Sequence, residues 1–150
     1  MKYLKFFENF EYEEIELPEE EYLYIQPSQI KNAGNGLFTS IDIECGEIIS
    51  KFKGEVISDE EAKRRAYLGD DDYFMNLPSG ETLDCKRTDC FAKFANDAEG
   101  IPSNFENNSI ITMDDDNNVV LLSDRDIKSG EEIFVGYGKS YWKINKYRVN

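Results

Sequence analysis

The sequence predicts a β-rich α+β domain of short strands joined by turns, with one well-marked helix. Three observations carry this expectation. Short β-branched or aromatic runs recur at 36–39, 47–52, 73–77, 110–113, 119–122 and 133–135, and Gly, Asn, Asp or Pro separates most of them. The segment after residue 57 carries both a start and a stop signal for a helix. The chain's 150 residues include 10 Phe, 9 Tyr and one Trp, which is one domain's length and too aromatic for a disordered chain.

Residues 1–27 differ from the rest. Glu8, Glu11, Glu13, Glu14, Glu16, Glu19, Glu20 and Glu21 crowd together, interleaved with Tyr3, Phe6, Phe7, Phe10, Tyr12, Tyr22 and Tyr24. Like charges repel, while aromatics at that density need a surface to cover, so the segment reads as an acidic arm lying across the main body. Pro18 and Pro27 interrupt it, and Pro27 marks the start of the compact part. Next, Asn32-Ala-Gly34-Asn-Gly36-Leu-Phe38 sets two glycines one residue apart before a strand. Such a loop brings backbone close to a ligand, or is a plain β-turn. It is not a dinucleotide fingerprint, because a strand follows it rather than a helix.

The helix opens at Ser58, an N-cap with Glu61 three positions on to complete a capping box. Asp59, Glu60 and Glu61 sit at its positive end, Lys63, Arg64 and Arg65 follow, and Gly69 stops it. This is a structural device. Asp114–Asn118 reads as a hairpin turn between two strands. Ile43-Glu-Cys-Gly46-Glu47-Ile48 and Ile127-Lys-Ser-Gly130-Glu131-Glu132-Ile133 echo one another in the frame Ile-x-x-Gly-Glu leading into a strand. Two tight turns with glycine at positive φ account for that echo, which is too short to establish a duplication.

Two absences narrow the chemistry. The chain has no histidine, which removes Ser-His-Asp and Cys-His catalysis, histidine metal sites and a histidine general base together. Cys45, Cys85 and Cys90 are odd in number and form no CxxC pair, so they read as reduced, half-buried thiols rather than a zinc site or a disulfide framework. No run approaches the roughly 18 apolar residues of a membrane span, and no signal-peptide core is present, so an intracellular protein without a membrane partner is expected. Against 17 basic residues stand 31 acidic ones, a net charge of −14. Such a field repels nucleic acid and anionic membranes and attracts Lys/Arg-rich polypeptides, although acidity also serves solubility alone.

Two further motifs are weak when taken singly. Phe94-Ala-Asn96-Asp97-Ala98, followed by Asn107-Asn108-Ser109, encloses a polar loop that suits an ordinary surface as well as a site. Glu131-Glu-Ile-Phe-Val-Gly136-Tyr137-Gly138-Lys-Ser-Tyr141-Trp142 ends a strand on a tyrosine between two glycines. Glycine neighbours expose that ring and hydroxyl to a ligand, and a buried aromatic cluster explains the same residues. The order is what is specific. Gly-Asn-Gly-Leu-Phe, Ile-x-x-Gly-Glu-x-Ile, Phe52-Lys-Gly54-Glu55 and Tyr73-Phe74 come first. Leu83-Asp84, Phe-Ala-Asn-Asp-Ala, Asn107-Asn108, Asp124-Arg125-Asp126-Ile127 and Gly-Glu-Glu-Ile…Tyr-Gly…Tyr-Trp follow. In that order the chain resembles the SET-domain protein lysine methyltransferases over roughly residues 28–142, as a minimal, single-module member.

The resemblance implies a SET fold of small curled sheets with a C-terminal pseudoknot, flanked by an arm at 1–27 and a tail at 143–150. The segment near Tyr137 is then expected to pass beneath the loop carrying Asn96 and Asn107-Asn108. The resemblance also implies S-adenosylmethionine as cofactor, leaving as S-adenosylhomocysteine, with no metal. Its pocket would use the backbone of Gly34, Asn35, Gly36 and Leu37 together with Tyr73, Phe94, Asn96, Asp97, Tyr137 and Trp142. The acceptor lysine would enter from the opposite face past Tyr73, Val135, Tyr137 and Tyr141, with Tyr137 as the central catalytic residue. A sulfonium already makes the methyl electrophilic, so the protein needs only to align an in-line attack and deliver a neutral amine. A tight aromatic channel favours that amine by desolvating the ammonium. The implied substrate is a histone or another basic protein, added to a sheet edge as a strand, with a nuclear location for a histone and a cytoplasmic one otherwise.

Several positions depart from the family pattern. Asn96-Asp97 stands where relatives commonly carry Asn-His, and Phe52 where a tyrosine is common. Val135 stands where a Phe or Tyr often limits the number of methyls, which implies capacity beyond monomethylation. Zinc-binding cysteine clusters are missing on both sides, and Tyr141, Trp142 and the tail through Tyr147 are expected to close the lysine channel instead. Because of Asp97, the main alternative is a catalytically weak or inactive SET-fold interaction module that binds basic proteins. A chaperone-like acidic binder explains the charge but not the ordered motifs.

Overall fold

The computed structural model describes residues 12–100 and 103–136. Residues 1–11 of the acidic arm, Tyr137, Tyr141, Trp142 and the tail at 143–150 lie outside the described residues. In chain order the elements are β1 (Glu13–Glu14), α1 (Glu19–Tyr22), β2 (Leu23–Pro27), β3 (Asn35–Thr39), β4 (Glu47–Lys51), β5 (Glu55–Ile57) and α2 (Asp59–Tyr67). Then follow β6 (Phe74–Asn76), β7 (Thr82–Asp84), a 3₁₀ turn (Ala92–Phe94), β8 (Ser109–Met113), β9 (Val119–Ser123) and β10 (Glu132–Ile133). They form three small sheets, ordered β1-β4-β9-β8, β10-β3-β2 and β5-β7-β6.

β9, between β4 and β8, reads Val-Val-Leu-Leu-Ser and is buried at every position, because Val119 and Leu121 pack into one apolar cluster and Val120 and Leu122 into another. Continuous apolar character, rather than alternation, marks a strand covered on both faces. The hairpin to β8 turns where Asp114 Oδ1 accepts the amides of Asp116 (2.9 Å) and Asn118 (2.8 Å) and Asn117 adopts φ 64°. Leu37, Ile49, Ile111, Leu121, Ile127 and Ile133 form the centre of a core fed by strands of different sheets. Each such side chain, withdrawn from water, contributes about 1.5–3 kcal/mol.

The described part of the acidic arm is woven into the domain. β1 pairs in parallel with β4, and β2 pairs with β3 along five residues. Tyr22 and Leu23 are buried, and the Tyr22 hydroxyl donates to the Ile49 carbonyl at 2.6 Å. Burial pushes the Tyr22 phenol above its ordinary pKa. β2 was hidden from the sequence reading because Leu23-Tyr-Ile-Gln-Pro directly follows the glutamate cluster. β5 and β7 were missed because each is three residues long and is defined only by its partner strand.

In α2, Ser58 Oγ accepts the Glu61 amide at 3.1 Å, while the Glu61 carboxylate turns to Arg64 and Arg65. The helix stops at Leu68–Gly69, where Gly69 takes φ 75°. Arg65 ties the helix to the third sheet through Glu55 (2.9 Å) and the buried Asp84 (2.8 Å).

The two Ile-x-x-Gly-Glu segments face each other. Ile43 and Ile127 exchange both backbone hydrogen bonds, at 2.7 and 2.8 Å. Asp126 Oδ1 accepts the Cys45 amide and Asp42 Oδ1 accepts the Ser129 amide, each at 2.9 Å. Glu47 accepts the Glu44 amide, Glu131 accepts the Lys128 amide, and both glycines, 46 and 130, have φ 89°. The second copy leads through β10 into Phe134–Val135. There the chain leaves the antiparallel ladder and is held between the Asn96 loop and the start of β8 by parallel bridges to Asn96 and Ser109.

Candidate cofactor cavity

A cavity of about 430 Å³ opens between the β2–β3 loop, β6 and the segment 93–97. The first wall exists because of backbone geometry. Asn32 and Gly34 adopt φ 65° and 72°, and the Ser28 amide closes the loop on the Gly34 carbonyl at 2.8 Å. A Cβ on Gly34 would meet nothing within 4 Å, so glycine serves the positive φ there and not a close approach. At Gly36 the reason is different, since a Cβ would collide with Glu132 Oε2. That buried carboxylate accepts the Ser28 hydroxyl (2.7 Å) and the Gln29 amide (2.8 Å), fixing the start of the loop to β10.

The opposite wall is aromatic, with Phe52, Tyr73 and Phe74 facing the cavity and Phe94 contributing from the 3₁₀ turn. Lys93 pins this wall. Its Nζ donates to the carbonyls of Cys85 (3.1 Å), Lys86 (3.1 Å) and Thr88 (3.0 Å). It also lies 5.3 Å from the Tyr73 ring centroid and 5.5 Å from that of Phe94. Asn96 joins the two walls, its Nδ2 donating to the Asn35 carbonyl at 2.9 Å.

Asp97 also lines the cavity, but its carboxylate is occupied by the loop that follows. Oδ1 accepts the amides of Glu99 and Gly100, both at 2.9 Å, and the Asn107 side-chain amide at 3.0 Å. Asn107 in turn accepts the Ala98 amide at 2.8 Å. The pair Asp97–Asn107 thus closes the base of the loop at 98–106. Directly beyond it, a Cβ at Gly136 would lie 3.1 Å from Asn107 Nδ2.

Of the residues expected from the sequence, Gly34, Asn35, Tyr73, Phe94, Asn96 and Asp97 line this one cavity. Gly36 and Leu37 continue into β3, where the Leu37 side chain is fully buried in the core. Val135 is fully buried in the same core and reaches the Asn96 loop through its backbone, its amide donating to the Asn96 carbonyl at 2.9 Å. Asn108 and Ser109 hold the other side of this segment. Asn108 donates to the Glu132 carbonyl (3.0 Å) and accepts the Phe134 amide (2.9 Å), and Ser109 Oγ donates to the Phe134 carbonyl (2.7 Å). Tyr137, Tyr141 and Trp142 lie outside the described residues. The sequence reading assigned no site role to Met75, Cys85 or Lys93. Each lies in a stretch with no motif of its own and reaches the cavity only through the pairing of β6 with β7 and the 3₁₀ turn.

A family model for the SET domain matches residues 34–138, well over half of the chain. The histone-lysine N-methyltransferase mes-2 of Caenorhabditis elegans is 31% identical over 120 residues, covering 78% of this chain and 15% of that protein. A histone-lysine N-methyltransferase of Candida glabrata, described as H3 lysine-36 specific, is 32% identical over 122 residues, covering 78% of this chain and 17% of that protein. The histone-lysine N-methyltransferase EZH2 of Chaetomium thermophilum is 28% identical over 135 residues, covering 81% and 8%. This chain spans less than a fifth of the length of each of these relatives. The family match spans the cavity lining from Gly34 onward and the segment held between Asn96 and Ser109, and the chain belongs to the SET-domain family.

Proposed function

We propose that this domain transfers a methyl group from S-adenosylmethionine to a lysine side chain of a basic protein, in the first instance a histone. The observation that carries this reading is the convergence of the glycine-turned loop, the aromatic wall and Asn96 on one cavity beside the threaded segment that leads to Tyr137. The residues present suit such a cofactor. A volume of about 430 Å³ lies within the roughly 300–1,000 Å³ usual for small-molecule sites. Tyr73, Phe74 and Phe94 offer flat apolar faces to a base, and the loop at 33–35 offers backbone groups.

When bound, the cofactor supplies a sulfonium-activated methyl. The protein's part is positioning. Asn96, through its bond to the Asn35 carbonyl, keeps the two walls at a fixed separation. Tyr137 is proposed to orient the lysine amine with its hydroxyl, and the aromatic lining is proposed to desolvate that amine so that it loses its proton. Tyr141 and Trp142 are proposed to close the lysine channel. The buried Val135, smaller than Phe or Tyr, is proposed to leave room for more than one methyl. The −14 net charge favours a Lys/Arg-rich partner, and a histone substrate would place the protein in the nucleus.

The relatives named above are called histone-lysine methyltransferases, which supports the substrate class. The alternative reading as an inactive binding module rested on Asp97. Because Asp97 Oδ1 is engaged by Glu99, Gly100 and Asn107, that carboxylate serves the base of the following loop, which favours the enzyme reading. The test is radiolabelled methyl transfer to purified core histones and, separately, to whole-cell lysate, with Tyr137→Phe as control. Label on a histone that fades in the variant is the expected result. Label in lysate alone would remove the histone and keep the chemistry. No label in either, together with no thermal stabilisation by S-adenosylhomocysteine, would overturn the reading.

A further inference from the structure

Asn107 and Asn108 are adjacent, yet they bond to different parts of the domain. The Asn108 side chain serves the threaded segment, through the Glu132 carbonyl and the Phe134 amide. Asn107 serves the edge of the cavity. Its backbone amide donates to Glu99 Oε2 at 2.7 Å, its Oδ1 accepts the Ala98 amide at 2.8 Å, and its Nδ2 donates to Asp97 Oδ1 at 3.0 Å. Asp97 is buried and lines the cavity. Both ends of the Asn107 side-chain amide are therefore engaged, and the group rotates only by giving up both bonds.

Gly136, the residue before Tyr137, lies against that same amide. A Cβ there would come 3.1 Å from Asn107 Nδ2, closer than such atoms ordinarily pack. Gly136 is not among the glycines with positive φ, so backbone conformation does not call for glycine. The missing side chain makes room for Asn107 instead. One residue earlier, the Val135 amide donates to the Asn96 carbonyl at 2.9 Å. The segment is thus referred to the cavity twice, at Asn96 through backbone and at Asn107 through a side chain that is pinned in place.

We propose that Asn107 is a positioning residue for methyl transfer. It locks the cavity edge at Asp97 and, through the same side-chain amide, sets how closely the segment carrying Tyr137 approaches that edge. In-line transfer is sensitive to the relative placement of its two partners, so a shift of this segment against the cavity lowers turnover more than it lowers cofactor affinity. The effect on turnover rests on the methyl-transfer reading given above; the contact between Asn107 and Gly136 does not.

The test is a double-mutant cycle on the full chain, with Gly136→Ala, Asn107→Ala and the two combined. The readouts are the methyl-transfer rate at saturating S-adenosylmethionine, with whichever acceptor takes label, and S-adenosylhomocysteine affinity by calorimetry. Gly136→Ala should lower the rate about tenfold while affinity stays within about twofold. Asn107→Ala should lower it by a similar factor. The combined variant should be no slower than Asn107→Ala, because the added methyl then has room. Losses that multiply to about a hundredfold in the combined variant would overturn the shared contact. A Gly136→Ala enzyme of native rate would do the same. Affinity that falls in step with the rate would overturn the positioning role and leave Asn107 as a brace of the fold. If Asn107→Ala does not fold, Asn107→Ser, which also withdraws the amide, takes its place in the cycle. Should the native chain neither bind S-adenosylhomocysteine nor transfer a methyl, the methyl-transfer reading falls, and urea midpoints of the same variants decide the contact. A combined variant no less stable than Asn107→Ala upholds it, and additive losses overturn it.

Discussion

The turns at 42–47 and 126–131 share a sequence frame, an isoleucine bridge and reciprocal aspartate caps, but they hand the chain on differently. After the first, β4 joins a backbone ladder with β9. After the second, β10 has a ladder of two residues, and Phe134–Val135 is then held by the side chains of Asn108 and Ser109 together with the backbones of Asn96, Asn108 and Ser109. Local residues dictate the turn in both copies. The path beyond is dictated by whatever the chain meets there. A ladder distributes its hold over many peptide groups, whereas the second path adds buried side-chain bonds from single residues, so it should be easier to break with one substitution.

Asn108→Ala makes the largest break. It removes the partner of the Phe134 amide and the donor to the Glu132 carbonyl, both buried, and should cost about 2–4 kcal/mol in urea unfolding. On the first path, Ser50→Ala removes a buried hydroxyl bonded to Glu19 but no ladder bond, and should cost about 1 kcal/mol. Equal losses would show that the two paths are held alike.

Next in size are the glycines. Gly46→Ala and Gly130→Ala each force a side chain into φ 89° and should each cost about 1–2 kcal/mol. A Cβ at Gly130 meets nothing within 4 Å, so its cost is conformational, and Gly130→Asn should recover part of it. If Gly130→Asn unfolds as readily as Gly130→Ala in urea, crowding rather than backbone conformation limits that turn.

How much of this was legible in the sequence follows from the range of each interaction. The Ser58 cap, the Asp114–Asn118 turn and the Ile-x-x-Gly-Glu echo are settled within a few residues, and local chemistry identifies them. That the two echoes bridge each other, 84 positions apart, is not written in either. β2 was obscured by its own composition, because its strand character comes from the register of Tyr24 on Phe38 and Ile25 on Leu37. The site divides in the same way. Gly34, Asn96 and Asp97 stood in motifs, whereas Lys93 became visible only once three carbonyls from 85, 86 and 88 converged on its amine. Asp97 was readable as a departure from the family, but its engagement by Asn107 was not.

That engagement gives a smaller prediction on the second path. Asp97→Ala frees the Glu99 and Gly100 amides and the Asn107 side chain, loosening the loop base beside Gly136. S-adenosylhomocysteine affinity measured by calorimetry should fall about three- to tenfold, in line with one lost charge-assisted hydrogen-bond cluster at a cavity edge. Asp97→Asn, which keeps an acceptor, should fall less. An alanine variant with unchanged affinity would show that the loop base is irrelevant to the cavity.

The smallest effect belongs to α2, which is tied to its surroundings by ion pairs rather than by a ladder or buried amides. Hydrogen bonds from Arg64 and then Arg65 hold the Glu61 carboxyl down from 4.5 to about 2. Because the folded pKa is depressed, the stabilisation is complete above about 4.5 and is lost as pH falls toward about 2. The group lies at the surface and is partly exposed, so screening keeps the effect slight and salt reduces it further. Between those pH values the melting temperature of the native chain should fall slightly more steeply than that of Glu61→Gln, and the difference should shrink at high salt. Parallel curves at low salt would mean that Arg64 and Arg65 gain nothing from Glu61 in the folded state. α2 would then rest on its Ser58 cap and on the ties of Arg65 to Glu55 and Asp84.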